Sequence, residues 1–575
     1  MTARVTKCSL ALLAVILVLV AALFISTDRA DASDTQSTET QNTTITMPAI
    51  YQDGMVLQRE VPLTVCGYST SEGATVTVTI GDATSTATVT DGSFCAEFEP
   101  MEAAVGVELN VDDGTSTLTL HSVNIGEVWY FSGQSNMNYP IYHMEGYEEY
   151  LAFAGDYNIR AFLVPNIASL ERDEIGQGKW FDATAAELAK YPNEQLSAIA
   201  YVTATKLAAG LDSSIPVAVI DSSYYGTAAK CWTSPEVYAE IYGGAHEDFA
   251  IMQAYKSYYN THGDWPTSTE DLPQYVGKHY QKILSICYEP MVHFLRGYSV
   301  RGAVWYQGES HISTPTEYSD MYKGVAKTLR QTFGNDALPI FMIQLAPYST
   351  DLSQFRAAQY DICKEDESSY LISCGMDGTV FSAMDLKQSS VDDYFVHTAR
   401  KAVIGNRTAE SILLNVYGSD DYVPAPDVTD ITVLDGKVIV TFNTDVSLLY
   451  GTECEGFEIR DIYGYRAADA VIDGCTVTLS ANGLNGPNQI RYGFGDFYLE
   501  LADGTRVTPY KRFANGSYQT NIQVAVVDNN NKTHYFYIDG DEVLRSGTPG
   551  NLTNASGHPL PVLCLDIADF EKEDE

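Results

Sequence analysis

A chain of 575 residues is too long for one hydrophobic core, which predicts three or more folding units. Hydrophobic residues make up 45% and aromatic residues 11%, 39 tyrosines among them, a composition of ordered globular protein rather than of a disordered or fibrous chain. The 34 basic residues stand against 75 acidic ones, and the resulting formal charge of −41 repels phosphate backbones and anionic headgroups, arguing against nucleic-acid and membrane-surface partners.

At the amino end, Arg4 and Lys7 precede an apolar run from Leu10 to Ile25, and Ala30-Asp31-Ala32 supplies a small-x-small cleavage site. Residues 1–32 read as a secretory signal, so the expected location is secreted or extracellular. The competing reading is an uncleaved leader that tethers the chain to the cell surface, although the run is shorter than the roughly 20 residues of a membrane span. Residues 33–46, SDTQSTETQNTTIT, have the Ser/Thr-rich composition of a linker. Short alternating runs such as ATVTVTI (74–80) and STLTLHSV (116–123), with a hairpin signal at Asp91-Gly92, predict a small β-sandwich over 47–124.

The texture changes at 125. Five apolar runs read as buried parallel strands: EVWYFSG (127–133), IPVAVIDS (215–222), VRGAVWYQG (300–308), PIFMIQLA (339–346) and SYLISCGM (369–376). Stretches of helical spacing such as 197–211 and 316–333 separate them, so a doubly wound α/β domain is expected over 125–416. In such sheets ligands bind beyond the carboxyl ends of the strands, where SGQSN, SSYYG and QGES fall. From 417 to 575 the β texture returns, with turn signals at Asp435-Gly436, Asp473-Gly474 and Asp539-Gly540.

Ten cysteines are present, of which Cys8 would leave with the signal, so an odd nine remain. Cys66 with Cys95, Cys363 with Cys374 and Cys454 with Cys475 are neighbours in sequence and candidate disulfides. No CxxC occurs, which disfavours structural zinc.

Ser135, in FSGQSNM, is the candidate nucleophile: a serine hydroxyl needs a base to take its proton, and the tetrahedral oxyanion needs donors placed in advance. GQSNM is not the GxSxG elbow of α/β-hydrolases, because Met137 stands where the second glycine belongs.

IGEVWYFSGQSNMNYP (125–140), IDSSYYGTAAKCWTS (220–234) and VRGAVWYQGES (300–310) resemble the signature blocks of the sialate O-acetylesterase-like branch of SGNH hydrolases. MVLQREVPLTVCGYS (55–69) and FEIRDIYGYRAADAVIDGCTVTL (457–479) resemble its flanking β segments, and the similarity runs from about 47 to 513, leaving 514–575 outside. The resemblance implies a flavodoxin-like three-layer SGNH domain with a parallel sheet, flanked by amino- and carboxyl-terminal β-sandwich-like regions. It implies Ser135 as nucleophile and an oxyanion hole made by the Ser135 and Gly226 backbone amides with the Gln307 side chain. His397 is the implied base, but Thr398 replaces the family's usual proline and Tyr394 stands where an orienting aspartate belongs. Asp393 can complete a triad if the loop bulges, Asp392 is a weaker choice, and a backbone carbonyl would leave a Ser-His dyad.

Glu309 suits a supporting hydrogen bond better than a base, since a carboxylate beside an oxyanion opposes it. Asn136, Tyr225 and His311 are further candidates for supporting or substrate contacts, with an exposed loop position as the plain reading of His311. Trp129, Trp232 and Trp305 are expected to pack around the strands.

The implied activity is removal of acetyl esters from carbohydrate through a serine acyl-enzyme, without metal or cofactor. A sialate carboxylate needs a cation, for which Arg160, Arg301 and Arg356 are candidates, while acetylated xylan or another neutral plant polysaccharide suits so acidic a chain. The readings from other classes are an inactive carbohydrate-binding protein and a surface adhesion protein.

Overall fold

The computed structural model describes residues 44–190, 196–275, 280–347, 351–374, 396–398, 400–495, 498–501, 504–507, 509–513, 521–527, 533–539, 543–547 and 549–570; from 508 to 548 only the course of the strands is described. The predicted signal and nearly all of the linker lie outside these residues, as do Asp392, Asp393 and Tyr394. No helix among the described residues is long and apolar enough to cross a membrane.

The chain is organised around one long strand, β1 (Thr117–Gly133). Its first part pairs antiparallel with Ala104–Asp112, and its last part, Glu127–Gly133, lies between two parallel neighbours. The boundary expected at 124/125 therefore falls inside a continuous strand, and residues 45–575 form one compact unit.

With β2 (Ile159–Leu163), β3 (Lys179–Asp182), β4 (Val217–Ser223), β5 (Gly302–Tyr306), β6 (Ile340–Ile343) and β7 (Ser369–Ile372), the central order is β3-β2-β4-β1-β5-β6-β7. All these pairings are parallel except that of β3 with β2. β4, β5 and β6 are buried at every position, the continuous burial that parallel strands take when both faces are covered. The five predicted strands are present, whereas β2 and β3 were not anticipated.

Helices connect the strands. α1 (Ala198–Gly210) starts at Ser197, whose Oγ accepts from Ala200 N at 3.2 Å, and α2 (Pro315–Thr332) places proline in its first turn, where a missing N–H does no harm. α3 (Ser353–Glu365) packs on β7, and α4 (Lys401–Asn415) packs on α1, which in turn packs on β4.

Register is what builds the mouth of the sheet. Gly133 is opposite Ser223 on β4 and Tyr306 on β5, so three strands end side by side. Gly133 permits this approach, since a Cβ there would sit 2.1 Å from the Tyr306 carbonyl oxygen.

Antiparallel sheets flank the core. Leu63–Ser69 pairs with Ser93–Phe98, setting Cys66 opposite Cys95, and these two form a disulfide. The other two candidate pairs do not form: Cys363, Cys374, Cys454 and Cys475 are free thiols. In the carboxyl region Val428–Leu434, Lys437–Phe442, Thr476–Ser480 and Asp469–Asp473 make one sheet, and Phe457–Asp461, Gly464–Ala467, Gln489–Tyr492 and Leu563–Asp566 another. Val438, Val440, Val477 and Leu479 of the first share a buried core with Phe457, Ile459, Ile490 and Tyr492 of the second. Leu563–Asp566 thus belongs to that sheet although it lies beyond the stretch of resemblance, and Val562 also exchanges hydrogen bonds with Gln344 of the central unit.

Candidate active site

The turn after β1 is closed by its own backbone: Gln134 N donates to Tyr306 O at 3.0 Å, and Met137 N and Asn138 N both donate to Gln134 O at 2.9 Å. Ser135 sits partly exposed at its crest, and its amide and hydroxyl make no hydrogen bond among the described residues. Met137 is fully buried, so the departure from GxSxG is a core side chain rather than a second hinge.

After β4, Gly226 adopts φ +71°, the left-handed conformation that favours glycine, and the position of a missing Cβ has no atom of the described residues within 4 Å. Thr227 holds this loop, its Oγ1 donating to Tyr224 O at 2.8 Å and accepting from Trp232 Nε1 at 3.0 Å. The Gly226 amide, like that of Ser135, has no acceptor among the described residues. Two backbone donors are therefore available at neighbouring strand ends, which is what an oxyanion requires.

Gln307, beyond β5, is fully buried and donates from Nε2 to Gln134 Oε1 at 3.0 Å and to Thr227 O at 3.1 Å. Both amide hydrogens are thus engaged, and exchanging O for N would set oxygen against two acceptors. The side chain braces the Ser135 turn against the Gly226 loop and, in this arrangement, has no hydrogen left for an oxyanion.

Asn136 joins the remaining segments. Its Nδ2 donates to Glu309 Oε1 and to Val396 O at 3.0 Å, while its Oδ1 accepts from Lys401 Nζ. Asn136 is 2% exposed and Lys401 0%, and the Lys401 ammonium lies 4.7 Å from the Tyr139 ring centre and 5.8 Å from that of Tyr306. His397, between Val396 and Lys401, is thereby carried to the Ser135 mouth, its ring centre 6.4 Å from that of Tyr139. Thr398 is buried and its Oγ1 accepts from Arg400 N at 3.1 Å, a local turn bond just before α4.

Burial pushes the Glu309 carboxyl above the usual carboxylate range, opposed in part by the Asn136 hydrogen bond, its own backbone, His397 and Lys401. Its Oε2 is buried with no hydrogen-bond partner among the described residues. Glu309 is therefore the described carboxylate that faces His397.

His311 departs from expectation. It is buried, its Nε2 accepts from Ala229 N at 3.0 Å, and burial, with Lys230 and Lys282 nearby, lowers its pKa to about 4. A neutral imidazole here holds the turn behind Gly226. Tyr225, by contrast, is 50% exposed beside Gly226. Trp129, Trp232 and Trp305 are buried, as packing predicts.

The arginines considered for a sugar carboxylate are engaged elsewhere. Arg160 pairs with Asp182 and donates to Gly54 O, Arg301 binds Glu127 at the opposite end of β1, and Arg356 is buried in α3 against Gln344.

Lys401 was missed in the sequence, although a lysine opening an apolar helical pattern is a usable signal. The buried chain Asp221–Ser223–Asn138 was missed too: Ser223 Oγ donates to Asp221 Oδ1 at 2.7 Å, and Asn138 Nδ2 donates to Ser223 O at 3.1 Å. A lone aspartate in an apolar strand was its only trace.

Comparison with known proteins gives matches of three kinds. The family model described as carbohydrate esterase, sialic acid-specific acetylesterase, matches residues 265–413. Sialate O-acetylesterase of Pongo abelii is 27% identical over 324 residues, covering 52% of this chain and 56% of the relative; that of Mus musculus is 27% identical over 326 residues, covering 51% and 59%. The match thus spans little more than half the length of these relatives. Among solved structures, a carbohydrate acetylesterase from Xanthomonas citri superimposes with TM-score 0.65 at 20% identity over 91% of this chain and 99% of that one, which shows a shared fold. The resemblance to sialate O-acetylesterases read from the signature blocks is borne out by these matches.

Proposed function

We propose that this chain, similar over about half its length to sialate O-acetylesterases, is a secreted carbohydrate O-acetylesterase acting through a Ser135 acyl-enzyme in a three-layer SGNH-type domain. The observation that carries the reading is the convergence at one mouth of the Ser135 turn, the open Gly226 amide and the His397 segment fastened by Asn136.

Ser135 Oγ attacks the acetyl carbonyl carbon while His397 accepts its proton. The oxyanion takes hydrogen bonds from the Ser135 and Gly226 amides. As the tetrahedral adduct collapses, the bond to the sugar oxygen breaks and His397 returns the proton to that oxygen. Water then gives a proton to His397 and its oxygen attacks the acyl carbon; as this second adduct collapses, the bond to Ser135 Oγ breaks, His397 returns the proton to that oxygen, and acetate leaves. Gln307 and Asn136 hold the loops together, and Glu309 stabilises the imidazolium that forms in each half-reaction.

The test is acetate release from 4-nitrophenyl acetate. Ser135→Ala is expected to lower kcat about 10³-fold or more, and equal turnover by both proteins removes Ser135 from the mechanism.

The relatives named above are sialate enzymes, yet Arg160 and Arg301 are paired with carboxylates away from the mouth, and Arg356 is buried against Gln344. That placement favours a second reading of the substrate, an acetylated neutral polysaccharide. Parallel measurement of acetate from 9-O-acetyl sialic acid and from acetylated xylan separates the two.

A further inference from the structure

A row of aromatic side chains leads away from the Gly226 loop. Tyr225 is met perpendicularly by Tyr224, ring centres 5.0 Å apart at 86°, and the buried Tyr224 brings its hydroxyl 3.4 Å from that of Tyr280. Tyr280 is stacked on Trp265 at 5.3 Å and 16°, and Trp265 lies against Tyr259 at 4.5 Å and 33°. The two ends of the row are open to solvent, Tyr225 at 50% and Tyr259 at 39%.

The row is built to stay in place. Tyr259 projects from a helix of 16 residues, Glu247–His262. Trp265 N donates to its neighbour's Asp264 Oδ1 at 2.8 Å, and the turn that follows is tied by Asp271 Oδ2, which accepts from Thr267 N, Thr267 Oγ1 and Ser268 N. Ala228 N donates to Gln281 O at 3.2 Å, so the strip and the loop of the open amide are physically continuous. Isolated exposed aromatics need no explanation, but a braced row running from a reaction centre is a surface for a ligand.

Its charge selects the ligand. The carboxylates of Asp271 and Asp264 face Tyr258 on the same helix, and Lys282 is the cation that adjoins Tyr280 in sequence. An anionic sugar meets these carboxylates at the Trp265 end of the row. A neutral pyranose presents C–H faces that pack on aromatic rings and hydroxyls that tolerate acidic neighbours.

We infer that Tyr225, Trp265 and Tyr259 form an extended subsite for the neutral sugar units to which the acetylated residue is linked, so that the substrate is a polysaccharide or oligosaccharide rather than an acetylated monosaccharide. This rests on the esterase reading for what happens at Ser135, but binding along the row is measured without turnover.

The experiment titrates the full-length chain and its Trp265→Ala and Tyr259→Ala variants with a deacetylated xylo-oligosaccharide and, separately, with a sialylated oligosaccharide, by calorimetry. The expected result is binding of the neutral chain that weakens about tenfold in each variant, the loss of one good stacking contact. On acetylated xylo-oligosaccharide, kcat/KM falls by a similar factor relative to 4-nitrophenyl acetate measured on the same variant. Tyr259→Ala, at the helix surface, keeps the test open if Trp265→Ala unfolds its loop. Neutral-chain binding unchanged in Tyr259→Ala, or a dependence seen for the sialylated chain alone, overturns the subsite. Wild-type protein that binds the chain but releases no acetate from any ester instead overturns the esterase reading and leaves the subsite standing.

Discussion

The two ends of β1's parallel stretch each hold a carboxylate out of water, and they treat it in opposite ways. At the entry end, Glu127 is 0% exposed and fully matched: Arg59 Nε and Arg301 Nη2 donate to Oε1, Gln58 Nε2 and Arg301 Nε to Oε2. Burial alone would raise its pKa, but Arg301, Gln58 and Tyr417 more than offset that and hold it below the usual range. At the exit end, Glu309 has one oxygen on Asn136 and the other without a hydrogen-bond partner among the described residues, and burial prevails. A satisfied buried charge fastens the amino-terminal sheet to the core, whereas an under-satisfied one beside a histidine holds electrostatic potential ready for a reaction.

Removing the proposed base breaks the comparison most directly. His397→Ala is expected to lower kcat on 4-nitrophenyl acetate about 10³-fold while the thermal midpoint barely moves. A variant retaining most of its activity puts the base elsewhere and makes the exit end as structural as the entry end. The converse holds for Glu127→Ala, which should destabilise the protein by about 3 kcal/mol in a urea titration and leave kcat/KM of the folded fraction within about twofold. The lower end of the usual range is expected because Arg59 and Arg301, 13% and 17% exposed, still reach water. A large loss of activity without loss of stability would mean that the two ends are coupled.

Smaller effects sharpen the exit end. Lys401→Met keeps the volume but removes the donor to Asn136 Oδ1, so the Val396–Lys401 segment loses a tether, and kcat should fall about tenfold with KM little changed. Glu309→Gln retains an oxygen for Asn136 but deletes the charge facing His397, and about a tenfold loss is again expected. Its pH dependence carries the sign. Burial raises the Glu309 pKa, so on acidification the carboxylate is lost earlier than an exposed one would be, and wild-type kcat falls with it. The glutamine variant lacks that titration, and its acid limb should be shallower. Superimposable profiles would show that Glu309 serves packing alone.

Much of this architecture was legible in advance because it is written locally. Asp91-Gly92 and Asp435-Gly436 both take left-handed pairs, φ 52° and 74° in one case and 50° and 74° in the other, as hairpin turns of this composition require. Buried parallel strands announce themselves as unbroken apolar runs, and Ser135, Gly226 and Gln307 follow three of them. What was not legible depends on register and distance. β2, IRAFL, is short and carries Arg160 in mid-strand, which hides its apolar character. The bond from Asn136 to Val396 spans 260 residues, the tether from Lys401 spans 265, and no sequence window contains either. His311 looked like a loop residue because its partner, Ala229 N, is 82 residues away.

A third carboxylate lies between the two extremes and yields the smallest effect. Asp221, on β4, is 0% exposed and accepts from Ser197 N and Ser223 Oγ, both at 2.7 Å, with no cation bound to it among the described residues. Burial raises its pKa to about 7, with Ser223 and Ser197 pulling the other way. The folded chain therefore keeps a proton that the unfolded chain releases near pH ~3.9, and stability contributed by that proton is present below about pH 4 and lost as pH rises toward about 7. Asp221→Asn can accept from Ser197 N through Oδ1 and donate through Nδ2 to Ser223 Oγ, so it preserves both contacts while removing the titration. Between pH ~5 and ~6 the wild type should lose about 1 kcal/mol relative to the variant in parallel urea titrations. Equal slopes would mean that Asp221 stays ionised in the fold, and that hydrogen bonds from one amide and one hydroxyl offset its burial as effectively as two guanidinium groups do for Glu127.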